Sequence, residues 1–265
     1  NKMNKINLFL SSNFFERLNP FFSRKLFKIF KIFFIETKLN SLPENNYKIE
    51  EKLIDELESI YLDPDIDKIP YISYSDLLNL LLVIKKENQD LNFCDYGGGN
   101  LNLYNYLNKK FLKLKYFFYD QQKIVNIVKD FKIKKNINNV FIDKEKINDS
   151  LDIVYFGSSL QYIENYEQVI SNFLNSKYIL IAQTPFFSAP KDVNKVVLKQ
   201  INMHPKINYL YMINLNNFIK FMSNNKYKLK NKSLNKVTKF MNFKNFDDRY
   251  KDLDMYDLLF ERSIK

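Results

Sequence analysis

The chain contains one cysteine, Cys94, and one histidine, His204. A single cysteine excludes an internal disulfide, and the compartment expected is the reducing cytoplasm. One Cys and one His cannot build a zinc cluster, so no metal site is expected. Arginine is also scarce: of 41 basic residues only Arg17, Arg24, Arg249 and Arg262 are arginine. The formal net charge of +11 would otherwise suggest an anionic polymer as partner. Surfaces that read nucleic acids rely on the guanidinium fork. Here lysine is abundant together with Asn, Ile, Phe and Tyr, the mark of an AT-rich coding bias, and no nucleic-acid partner is expected. Long apolar runs are missing as well. The longest, Leu8–Phe15 and Leu26–Ile35, are interrupted and fall short of the ~20 residues a membrane span requires. No small-residue cleavage site follows either of them.

What is present falls into two parts. Residues 1–60 read as an N-terminal helical extension, helix-prone to about residue 45 and again over 48–60. Within it, residues 20–38 set Lys25, Lys28 and Lys31 among Leu26, Phe27, Ile29, Phe30, Phe33 and Phe34. Such a basic amphipathic helix can lie at the inner face of a membrane, or dock on the domain or on a second copy of the chain. Docking is the preferred reading. A helix over Leu77–Lys86, capped by Ser75, belongs to the second part, residues 61–265.

From residue 91 apolar strands alternate with helices. Strands are expected at Leu91–Asp95, Tyr116–Asp120, Asn139–Ile142, Leu151–Phe156 and Lys177–Ala182. Helices are expected at Asn102–Lys110, Lys123–Phe131 and Tyr166–Leu174. Buried strands separated by helices predict a parallel sheet with right-handed crossovers. Residues 183–214 read as a loop region, followed by a helix at Leu215–Asn224. Strands at Tyr227–Lys232 and Tyr256–Glu261 would close the sheet as an antiparallel hairpin.

The chain has only four glycines: Gly97, Gly98 and Gly99 follow the first of these strands, and Gly157 follows the fourth. Glycine is required where backbone approaches a ligand or takes a positive φ. Ligands of open parallel sheets sit beyond the carboxyl ends of the strands at the switch point, where these four fall. The dinucleotide fingerprint G-x-G-x-x-G is not met, because Asn102 occupies the third glycine's place. The pattern is acidic-x-G-x-G, with Asp95 as the acid. A carboxylate there suits a cationic ligand better than a pyrophosphate. Asp120 ends the second strand, where ribose hydroxyls are received in such sheets.

Several phrases occur in order along the chain: Asp95-Tyr96-Gly97-Gly98-Gly99, then Gly157-Ser158-Ser159-Leu160-Gln161-Tyr162-Ile163, then Gln183-Thr184-Pro185-Phe186, then Gln200 and Tyr209–Tyr211. Over roughly residues 60–262 the chain resembles a family of bacterial S-adenosylmethionine (SAM)-dependent methyltransferases. The family's genes often lie among those for surface-polysaccharide (O-antigen or capsule) synthesis. The resemblance implies an α/β, Rossmann-like class I methyltransferase fold with a mostly parallel seven-stranded sheet. It implies SAM as cofactor and an oxygen or nitrogen on a sugar or glycan precursor as acceptor. Another small metabolite, a lipid-linked acceptor, or a degenerate SAM-binding module in a glycan-assembly complex are the alternatives. The cofactor residues implied are Asp95, Gly97, Gly98, Gly99, Asn100, Asp120, Gln121, Asp143, Gly157, Ser158, Ser159 and Gln161. A family glycine expected soon after the triple run is replaced by Leu101 and Asn102. Asp/Asn-Pro-Pro-aromatic, the box of amino-methylating nucleic-acid enzymes, is not found after the fourth strand. His204, Tyr209, Tyr211 and Gln183 are the candidates for the acceptor side. His204 is among them because an imidazole's unperturbed pKa suits base chemistry near neutrality.

Overall fold

The computed structural model describes residues 25, 33–43, 53–58, 77, 80–81, 90–111, 113–142, 151–200, 208–235, 238, 243, 245–246 and 248–263. Ten strands among them form one sheet. The strands are β1 (Phe34–Glu36), β2 (Leu91–Tyr96), β3 (Leu114–Tyr119), β4 (Val140–Phe141) and β5 (Ile153–Gly157), then β6 (Tyr178–Phe187), β7 (Lys195–Gln200), β8 (Asn208–Asn214), β9 (Tyr227–Leu234) and β10 (Asp254–Arg262). The helices are α1 (Asn102–Lys110), α2 (Gln122–Lys134), α3 (Tyr166–Ser171) and α4 (Leu215–Asn224), with a 3₁₀ turn at Leu160–Tyr162.

Seven strands run in the order β4-β3-β2-β5-β6-β10-β9. Five are parallel, and β10 inserts antiparallel between β6 and β9. This is the arrangement of the class I Rossmann-like methyltransferase fold. The order reverses between β2 and β5. The chain leaves β2 toward β3 and β4, then returns to β5 and β6 on the other side. A crevice opens there, beyond the carboxyl ends of the strands.

The side-chain period of two divides the strands between two apolar layers. Phe93, Tyr116, Phe118, Ile153, Tyr155 and Leu180 face one layer, which Leu103 and Leu107 of α1 and Ile124 and Val128 of α2 cover. Cys94, Phe117, Val154, Phe156, Ile179 and Ile181 face the other, covered by Ile170 of α3 and Phe218 and Met222 of α4. Because both faces are buried, the strands read as apolar runs and not as alternating ones. α4 begins where the side chain of Asn214 accepts the N–H of Asn217 at 3.1 Å.

Two expectations need correction. Residues 183–214 are not a loop region: β6 continues to Phe187, and β7 and β8 form an antiparallel pair. β8 joins β6 at Phe186 and Phe187, so the pair extends from the carboxyl end of β6. The helix over 20–38 does not extend through Phe34–Glu36, which is a strand on the edge of β7. Its apolar spacing suited a helix, but Phe34 packs into a third core with Phe187, Leu198, Met212 and Phe243. The rest of that segment lies outside the described residues, apart from helical Lys25 and the irregular residues Phe33, Thr37 and Lys38 on either side of the strand. Residues 53–58, 77, 80 and 81 are helical.

Candidate cofactor site

At the crevice lies an open cavity of about 240 Å³, lined by Asp95, Gly97, Gly98, Leu103, Tyr155, Gly157, Ser158 and Gln183. Three of the chain's four glycines therefore meet on its wall. At each of them a neighbouring side chain already fills the space a Cβ would need. A Cβ on Gly98 would stand 2.5 Å from a carboxylate oxygen of Asp95, and one on Gly157 would stand 2.4 Å from the ring of Tyr155. Gly97 has φ +74°, and a Cβ there would meet that of Ser159 at 2.4 Å. Ser159 sits against the loop because its hydroxyl donates to the carbonyl of Tyr96.

Asp95 is only 3 % exposed, and its carboxylate accepts the hydroxyl of Tyr116. Burial pushes its pKa up to about 7. The Tyr116 hydrogen bond acts against that shift, and the nearby charge of Asp120 adds to it. Asp120 closes the loop from the other side. One oxygen accepts Gly99 N–H at 2.8 Å and the other Gln121 N–H at 2.7 Å. Burial raises its pKa, and these two backbone N–H groups oppose the rise. Each oxygen retains a lone pair for a further donor such as a hydroxyl. Both carboxylates at the glycine loop thus have pKa values raised by burial, and of the two Asp95 lines the cavity.

The remaining residues singled out in the sequence fall in several places. Asn100 shapes the turn: its N–H donates to Gly98 O, and its Oδ1 accepts Asn102 N–H at 3.1 Å. Gln161 is buried behind the wall, where its amide donates to Ser158 Oγ at 3.0 Å and to Gln183 O at 3.3 Å. Tyr211 is fully buried in the second apolar layer, where its hydroxyl accepts Leu42 N–H at 3.2 Å and its ring lies 4.2 Å from Lys195 Nζ. Tyr209 is half-buried on β8 against the same layer. Neither tyrosine is among the residues lining the cavity. Asp143 and His204 lie outside the described residues.

Sequence reasoning missed Tyr116, which holds Asp95, and Leu103 and Tyr155, which line the wall. Leu103 was within reach, because the start of the helix after a glycine loop commonly faces the ligand. Tyr116 and Tyr155 carry no such signal, since in sequence they are apolar strand residues like their neighbours.

A bound SAM fits this donor set. Buried Asp95 lines the cavity together with Gly97, Gly98 and Gly157, and a second carboxylate, Asp120, stands at the end of the next strand. No family model and no curated protein matches the sequence. Among solved structures the chain is similar to 1,6-didemethyltoxoflavin-N1-methyltransferase of Burkholderia thailandensis. The identity is 9% and the TM-score 0.48, over 87% of this chain and 95% of that one. It is also similar to magnesium protoporphyrin IX methyltransferase of Synechocystis, with 13% identity and TM-score 0.44, over 99% and 98% of the two chains. A SAM-dependent methyltransferase of Clostridium acetobutylicum matches at 10% identity and TM-score 0.45, over 79% and 99%. Likenesses this distant do not bear on activity. The fold rests on the strand order, and the site on its own geometry.

Proposed function

We propose that the chain binds SAM in this cavity and transfers its methyl group to a small-molecule acceptor. The observation that carries the reading is the convergence of Gly97, Gly98, Gly157 and buried Asp95 on one cavity at the switch point of a class I sheet. SAM supplies an electrophilic methyl on a sulfonium. Asp95 is placed to compensate a cationic group, and Asp120 to accept hydroxyls. The protein's share of the chemistry is alignment and exclusion of water. A sugar or glycan precursor as acceptor is the finer reading. It is supported by the resemblance around Asp95–Gly99, Leu160–Ile163 and Gln183–Phe186. Titration calorimetry with SAM and with S-adenosylhomocysteine tests the cofactor, with binding of both expected. If neither binds, the reading fails. Methyl transfer from labelled SAM to a panel of nucleotide sugars and small metabolites then tests the acceptor. Labelled sugar is the expected result for the finer reading, and label only on other metabolites would overturn it.

A further inference from the structure

Two non-glycine residues on the cavity wall have left-handed backbones, Ser158 at φ +57° and Gln183 at φ +54°. Such conformations persist where the surroundings over-determine them. Around Gln183 the surroundings are two buried side chains that do not themselves line the cavity. The N–H of Gln183 donates to Asp257 Oδ1 at 2.7 Å, and its carbonyl accepts from Gln161 Nε2 at 3.3 Å. Asp257 is fixed in turn by the amide of Asn235, which reaches its two oxygens at 3.0 and 2.9 Å. Asn235 Oδ1 accepts both the N–H and the hydroxyl of Thr238 at 2.9 Å. On the other side Gln161 also donates to Ser158 Oγ at 3.0 Å and accepts from the Thr184 hydroxyl at 3.2 Å. One buried glutamine thus braces both left-handed residues.

The strand register explains why a brace is needed. Tyr256 pairs with Thr184 and Leu258 with Ile181, so Ala182 and Gln183 of β6 stand opposite Asp257 alone. This is a β-bulge, a device that re-aims a side chain, and the left-handed backbone at Gln183 is one that glycine adopts far more readily. A glutamine there brings a polar side chain to the wall, at the expense of a backbone that needs support.

We propose that Gln161 and Asp257 are positioning residues, which hold the Gln183 bulge by its carbonyl and its amide and so set the β6 wall of the cavity. The proposal rests on the cavity being the SAM site. Its test is a double-mutant cycle in the full chain, with SAM affinity measured by calorimetry for Asp257→Ala, Gln183→Gly and the double variant. Asp257→Ala should weaken SAM binding by roughly tenfold, the order of one lost charge-assisted bond. In the Gln183→Gly background the same change should cost less than about twofold, because glycine keeps a left-handed backbone unaided. Asp257→Asn keeps an acceptor oxygen and should restore most of the affinity. Equal losses in both backgrounds, or an unchanged Kd in Asp257→Ala, would overturn the proposal. If Asp257→Ala does not fold, Gln161→Leu runs the same cycle from the carbonyl side. The Gln183 backbone amide in the free protein gives a readout independent of SAM. An N–H given to a carboxylate resonates downfield and exchanges slowly, and both properties should be lost in Asp257→Ala. If the wild-type chain binds no SAM, the cofactor reading fails and this amide decides the positioning role: an unmoved resonance refutes it.

Discussion

A Cβ at Gly97 would overlap that of Ser159, whereas one at Gly99 meets nothing within 4 Å. Both residues have positive φ, +74° and +62°. An L-residue in that region costs roughly 1–2 kcal/mol, and overpacking adds roughly 1–3. Gly97→Ala should therefore lower Tm by several degrees more than Gly99→Ala does, as scanning calorimetry would show; equal losses would contradict the overlap. Asp95 gives a second test. Its native pKa of about 7 lies above the ordinary carboxylate value of 3.8, which the unfolded chain adopts. Between those values the native state binds more protons than the unfolded one, so stability falls as pH rises and the loss is complete above about 7. Asp95→Asn, which keeps an acceptor for Tyr116, should raise the Tm of the free protein at pH 8 and change it much less at pH 4. A uniform shift across that range would count against the buried carboxylate. At this scale the positions of the glycines and of Asp95 were legible, because few residue types can serve there. The left-handed backbones of Ser158 and Gln183 were not, because serine and glutamine carry no mark of them.

The strand β1 belongs to the N-terminal segment yet pairs with β7, and Thr37 N–H continues the ladder to Val197 O at 3.0 Å. Phe34 and Ile35 are 1 % and 2 % exposed, Phe34 stacks on Phe243 with ring centroids 5.1 Å apart, and Asn245 donates to Phe34 O at 2.9 Å. Glu36 accepts from Arg249 and from the Tyr250 hydroxyl. Burying two such side chains contributes roughly 1.5–3 kcal/mol each. A chain beginning at residue 45 should therefore melt well below the full chain or aggregate, since it loses β1 and bares the edge of β7. A chain so shortened that kept its Tm would show the strand to be dispensable. Phe34→Ala in the full chain should cost about 3–5 kcal/mol in denaturant unfolding. The short apolar run at 33–35 fits a helix or a strand equally well in sequence, and only its partners choose. The same holds for β7 and β8, an antiparallel pair that breaks the strand–helix rhythm that revealed β2 to β6.

For the molecule as a whole, SAM should stabilise the fold by mass action. At a hundredfold excess over Kd the gain is about 2.7 kcal/mol, or roughly 5–10 °C in Tm for a chain of this size. Thermal shift measurements with and without SAM would show it, and the absence of any shift at saturating SAM would weigh against the cofactor. No described helix is long and apolar enough to cross a membrane. Sedimentation of the full chain with anionic vesicles tests whether its basic N-terminal segment holds it to a surface; docking on the domain predicts no salt-sensitive binding. By itself the sequence determined the succession β2 to β6 with its helices, since a strand buried on both faces must be apolar throughout. It also marked the end of the sheet where the cavity opens, since three of the four glycines line that cavity. The tertiary structure alone decided that β10 inserts between β6 and β9, that β1, β7 and β8 extend the sheet, and that Gln161 and Asp257 stand behind the wall. The physical reason is that pairing and burial of polar groups depend on neighbours distant in the chain. Asp257 and Gln183 are 74 positions apart, and no local pattern announces that one will hold the other.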